Sequence, residues 1–170
     1  MIGPAGTAYS APSLVVFTGG FEAGKAFIAV EGRRHELVDF HQGRGWAGKV
    51  LESAGWCYSA PSLVQNISDL TRPIEIAFRG SSHSVTLLFF NAVSTTPGWQ
   101  NDVIVSATGS VDSAPVLLDR SANPAGEADL VFQGTGTTLW YDHAPKPSTV
   151  GVAPSFTGLK IGGAGSTFGG

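Results

Sequence analysis

Apolar residues come in short bursts along this chain. Near the start they fall at residues 13–18, 26–31, 36–41 and 46–52, each bounded by Gly, Pro, Asn or Ser. Bursts of six or seven residues, rich in β-branched and aromatic side chains, predict strands rather than helices. Alternation shows in the third burst. There His35, Leu37, Asp39 and His41 are expected to point one way and Glu36, Val38, Phe40 and Gln42 the other.

The same pattern then returns. The letters YSAPSLV stand at 9–15 and again at 58–64, and a third SAP stands at 113–115. Each SAP leads to an apolar burst (SLVVF, SLVQN, VLLDR), a turn, and a second burst ending in glycine: IAVEG at Gly32, IAFRG at Gly80, LVFQG at Gly134. Past each glycine run RRHELVDFH, SSHSVTLLFFN and TGTTLWYDH, and then WAGKVLESAG, WQNDVIVSATG and FTGLKIGGAG. Gly45–Trp46 matches Gly98–Trp99, with Phe156 at that place in the third copy. Successive SAP motifs lie 49 and 54 residues apart. Such self-similarity marks a repeat architecture.

Four strands in a repeat of about 50 residues is the arithmetic of a β-propeller blade. The expected architecture is all-β, with three four-stranded blades at 9–57, 58–112 and 113–170 in a single domain. Residues 1–8 read as a fragment of a closing strand, because MIGPAGTA resembles both VLESAGWC at 50–57 and the stretch at 161–167. The repeated Gly after the second strand is expected in a turn with positive φ. Propellers close with about 4–8 blades. Three blades therefore point to a homodimer that closes a six-bladed ring, the two-fold being the commonest oligomer symmetry. A β-sandwich is the alternative architecture.

The phrases SAPSL, IAFRG, TTLWYDH, the two GW pairs and GLKIGG together resemble the repeat of bacterial PLL-like β-propeller lectins. They resemble the tectonin and fucose-lectin propellers more loosely. The resemblance spans nearly the whole chain and implies a sugar-binding blade protein. The chain departs from that pattern at VEG in the first unit, at LLFFN in the second and at Phe156 in the third.

Composition narrows the function. The chain has 170 residues, 42% of them hydrophobic and 14% charged, with a net charge of -3. That balance describes a folded domain, and without a basic excess it gives no support to a nucleic-acid partner. The 23 Gly and 10 Pro suit many turns. Cys57 is the single cysteine, so no internal disulfide forms, and it reads as a small buried hydrophobe. The first residues carry neither a basic nor an apolar leader segment, so no signal peptide is expected. No apolar run approaches the roughly 18 residues of a membrane span, so no membrane insertion is expected.

The candidate chemistry is that of binding. GGFEAGK at 19–25 has the glycine and lysine spacing of a phosphate loop, but Ala26 follows where Ser or Thr is required. The next stretch is β-like, so this reads as a hairpin turn. His35, Asp39 and His41 on one strand face would splay apart, so no metal site is expected. The carboxylates form no recurring pair, and the arginines recur at no single repeat position, so an enzyme and a cofactor are not expected. Sugar C–H faces stack on aromatic rings while neighbouring polar groups bond the hydroxyls. The candidate ligand contacts are therefore Trp46, Trp56, Trp99 and Trp140, with Arg79, His35 and His83 as polar partners. Trp46 and Trp99 read equally well as seals of the outer strand. A non-catalytic, multivalent lectin with a glycan partner is the leading expectation. A structural, adhesive or engineered repeat scaffold is the alternative, and a glycan-cleaving propeller enzyme the second.

Overall fold

The computed structural model describes residues 8–18, 23–66, 73–92, 98–100, 103–105, 110–119, 128–144, 155–163 and 165. Of the closing fragment at 1–8 only Ala8 falls among them. The described residues form thirteen strands and no helix. The first sheet holds β1 (Ser13–Val16), β2 (Ala26–Glu31), β3 (Leu37–Gln42) and β4 (Trp46–Glu52) in sequence order. The third holds β10 (Val116–Asp119), β11 (Ala128–Gly134), β12 (Thr138–Ala144) and β13 (Thr157–Lys160), likewise antiparallel. The second holds β5 (Ser62–Gln65), β6 (Ile74–Arg79) and β7 (Val85–Asn91). Its outer strand is split into β8 (Gly98–Trp99) and β9 (Val103–Ile104), both paired with β7. The fold is a three-blade β-propeller array.

The inner strands lie side by side, with β5 between β1 and β10. The core is therefore two seams between blades. Phe17, Phe27, Leu37, Cys57, Leu63, Ile76 and Phe78 fill the first. Val85, Leu87, Val111, Leu117, Leu130 and Phe132 fill the second. The middle blade is flanked on both faces, which is why β6 and β7 read as nearly continuous apolar runs.

The repeated letters have a physical reason. The SAP serine clasps the inner strand to the second one. Ser10, Ser59 and Ser113 Oγ accept the amides of Glu31, Arg79 and Gln133 at 3.1, 3.0 and 2.9 Å. The next serine bonds blade to blade: Ser13 Oγ accepts the Leu63 amide and Ser62 Oγ the Leu117 amide, both at 2.9 Å. The lysine of the phosphate-loop-like stretch follows a tight turn, where the Gly24 amide donates to Phe17 O at 2.8 Å. The chain then enters β2, so no helix follows to present amides to a phosphate.

Two local expectations are corrected. Gly32, Gly80 and Gly134 do not carry positive φ; the left-handed position is three residues on, at His35, His83 and Thr137, with φ of 59°, 53° and 56°. The glycines are needed for space. A Cβ there would come within 2.6 Å of the Glu36 side chain, 2.9 Å of Thr86 Oγ1 and 2.6 Å of Trp140 Nε1, respectively. Nor does His35 continue the β3 face. It ends the turn before the strand, and a register shift between Leu37 and Val38 follows. Both faces of β3 are covered, with Asp39 and Phe40 alike buried.

Cys57 is fully buried in the first seam, and its thiol donates to Ser59 O at 3.3 Å. Burial pushes the thiol up to about 12. The native protein is expected to leave Cys57 unreacted with a thiol reagent at pH 8 and to react fully once unfolded. Rapid labelling of the native chain would contradict the seam packing.

Candidate functional site

Each turn from the second to the third strand brings a side chain to the place where one blade hands over to the next. At the first seam the His35 amide donates to Gly32 O at 3.0 Å, fixing the turn. Histidine tolerates the left-handed conformation better than most side chains. The His35 carbonyl in turn accepts the amides of Trp56 and Cys57 at 2.9 and 2.8 Å, holding the crossing segment against the turn.

The His35 ring is thereby framed. Tyr58 stacks on it, with centroids 4.4 Å apart and planes 14° apart, and Tyr9 meets it edge-on at 5.6 Å. Glu31 Oε1 lies 2.6 Å from His35 Nδ1 and fixes the ring's rotation. With Nδ1 engaged, Nε2 is the nitrogen open to a ligand. The His35 side chain keeps 36% of its exposure while Glu31 is buried. Trp56 and Tyr9 are exposed at 46% and 67%.

The second seam repeats this frame with other chemistry. Arg79 takes the place of Glu31, His83 that of His35, and Asp112 that of Tyr58. The Arg79 guanidinium is held by backbone: Nε and Nη2 donate to Tyr58 O at 3.3 and 3.0 Å, and Nη1 to Asp112 O at 3.4 Å. The Val111 amide donates to His83 O at 3.0 Å, and the His83 side chain is exposed. Arg79 thus ties the two seams through the Tyr58 carbonyl. Each seam presents a flat ring or planar cation beside a polar partner, an arrangement that can stack on and hydrogen-bond a small polyhydroxylated ligand.

Of the expected contacts, His35 and Trp56 lie at the first seam, tied by the Trp56 amide to His35 O, and Arg79 and His83 lie at the second. Trp46 stands apart at the start of β4, where it is exposed and pairs with Gln42. Trp99 occupies the equivalent place on β8, but there it is half-buried, packed edge-on against Phe90 at 5.8 Å beside the first core. Trp140 is half-buried against the second core, and its Nε1 donates to Thr138 Oγ1 at 3.0 Å. Sequence reasoning passed over Tyr9, Tyr58 and Glu31. The signal was present in the first letter of the repeated YSAP and in the residue before each repeated glycine. No group of three or more His, Cys, Asp or Glu side chains among the described residues is placed to hold a metal ion.

Among the carboxylates buried elsewhere in the blades, Asp142 and Asp39 are displaced in their titration. Burial raises Asp142 to about 6. Burial likewise raises Asp39 to about 6, opposed by His41, whose Nδ1 lies 3.3 Å away, and by Lys49. A carboxyl raised in the folded state favours the protonated form. Its cost to stability is absent below about pH 4, grows between about 4 and 6, and is constant above. Asp142→Asn is therefore expected to raise the melting temperature at pH 7.5, by about 3–6 °C for about 1–2 kcal/mol. At pH 4 it should bring no gain. An equal gain at both values would contradict the buried ionised carboxylate.

No family model matches the chain, and none of the curated proteins matches it. Among solved structures the chain is similar to the BP39L lectin of Burkholderia pseudomallei, with a TM-score of 0.74 and 18% identity. The similarity covers 96% of this chain and 45% of that one, so the chain spans less than half of the lectin's length.

Proposed function

We propose that this protein is a non-catalytic carbohydrate-binding lectin whose glycan sites repeat at the blade seams. The observation that carries the reading is the frame of Tyr9, Glu31, His35, Trp56 and Tyr58 at the first seam. It joins exposed aromatic faces to a fixed carboxylate and imidazole. The similar fold of a protein described as a lectin supports it. Trp56 and Tyr58 supply stacking faces. His35 Nε2 takes a hydroxyl of a pyranose, with the buried Glu31 carboxylate holding the imidazole in place. The second seam, with Arg79, His83 and Asp112, offers a related site of different polarity. Trp46 is a further contact on the outer strand for a longer glycan. Two or more weak sites on one rigid array gain avidity on a glycan-bearing surface.

A glycan array probed with the labelled protein tests this. Binding to a defined set of sugars, inhibited by the free sugar, is the expected result, with no hydrolysis of a chromogenic glycoside panel. An empty array would favour a scaffold or adhesive role, and hydrolysis would favour an enzyme.

A further inference from the structure

We infer, resting on the reading of the seams as glycan sites, that the second seam takes an acidic saccharide, a sugar bearing a carboxylate, with the Arg79 guanidinium as its anchor. The two seams differ in sign at one repeated position. The residue before the repeated glycine is Glu31 in the first blade and Arg79 in the second. Glu31 is buried, and His35 Nδ1 engages its carboxylate at 2.6 Å. The first seam thus sets a negative group beneath aromatic rings, which suits a neutral sugar. Arg79 puts a positive group at the same place.

Arg79 is half-buried between the second and third blades, and its partners are peptide carbonyls. Nε and Nη2 donate to Tyr58 O, and Nη1 donates to Asp112 O in a bond open to solvent. Among the described residues no carboxylate pairs with it. A guanidinium carries five N–H donors, and three are engaged here, so one is left on each terminal nitrogen. The charge is held in place without being neutralised. A planar cation with a donor on each terminal nitrogen matches a carboxylate better than it matches a lone hydroxyl. The backbone clasp also removes in advance much of the side-chain freedom that binding costs.

The surroundings leave that charge standing. Residues 80–91 and 103–111 contain no acidic side chain. Ser81, Ser82 and His83, in the turn that follows Arg79, are exposed and supply polar groups for the hydroxyls of a sugar. Asp112 is the acid of this seam. It is exposed, and it meets Arg79 through its carbonyl and not its carboxylate. The chain as a whole carries a net charge of -3, so the attraction for an anion is local to Arg79.

An array that sets each uronate- or sialate-bearing glycan beside its neutral parent tests this. At least one acidic glycan is expected to bind about tenfold or more tightly than its parent, the gain of a charge-assisted pair. Arg79→Gln is expected to abolish that excess with an unchanged circular dichroism spectrum. Asp112→Asn, which removes the acid beside the anchor, is expected to increase it. No excess for any acidic glycan, or an excess that persists in Arg79→Gln, would overturn the inference. Neutral glycans bound without such an excess would overturn it alone, whereas an empty array would take the glycan reading of the seams with it. Free acetate that inhibits as strongly as the free acidic sugar would reduce the site to one for any small anion and overturn the saccharide. Should Arg79→Gln fail to fold, Asp112→Asn decides: an excess that it leaves unchanged or lowers would put the anion elsewhere.

Discussion

Phe78→Ala is expected to lower stability by about 3–5 kcal/mol, with a fall in melting temperature of about 10 °C or more. Phe78 is fully buried on β6, opposite Thr86 on β7, in the seam that joins the first two blades. Truncation removes the whole phenyl ring from a site walled by both blades, and neither sheet can collapse into the space without breaking its own ladder. The cost is a large share of the roughly 5–15 kcal/mol that holds a domain together. Val50→Ala, on the exposed outer strand β4, is expected to change stability by less than about 0.5 kcal/mol. Chemical denaturation of the two variants side by side checks the pair. Equal effects would mean that the core does not lie between the blades.

The second large effect is at a glycine. Gly134→Ala is expected to destabilise by about 2–3 kcal/mol through overpacking. A methyl there would stand 2.6 Å from Trp140 Nε1 and 2.9 Å from the Ser110 carbonyl oxygen. The indole is packed against the second core and bonded to Thr138, and the carbonyl belongs to the backbone, so neither moves cheaply. Gly45→Ala meets nothing within 4 Å and is expected to be near neutral. Thermal melts of the two variants separate a packing requirement from a general sensitivity to lost glycine.

The blades were legible because each strand is a short apolar burst closed by a turn residue, and because the chain repeats itself. One finer error comes from carrying period-two alternation through a turn. His35 looked like the first residue of the β3 face, yet the chain reverses there, and the left-handed φ falls on a histidine instead of the nearby glycine. Gly32, Gly80 and Gly134 were recognisable as required positions, but the requirement is the space taken by Glu36, Thr86 and Trp140 four to six residues on, not the backbone φ. The split of the second blade's outer strand into β8 and β9 also had no signature in the spacing.

The candidate site was legible only in part, for a related reason. Tryptophans attract notice by chemistry alone, but exposure depends on the neighbours. Trp46 and Trp99 hold one repeat position, and the ring of Phe90 half-buries Trp99 while Trp46 remains open. Tyr9 and Tyr58 are the first letters of the repeated YSAP. They frame His35 because the crossing between blades lays that first letter against the turn of the blade before it.

The most direct test of the seam as a glycan site is calorimetric titration of the strongest array sugar into the unaltered protein and into Trp56→Ala. Trp56 is exposed, so its loss should leave the melting temperature within a few degrees of the original. The account predicts that the variant loses at least about tenfold in affinity, or about 1.4 kcal/mol. Unchanged affinity and stoichiometry in a fully folded variant would contradict it.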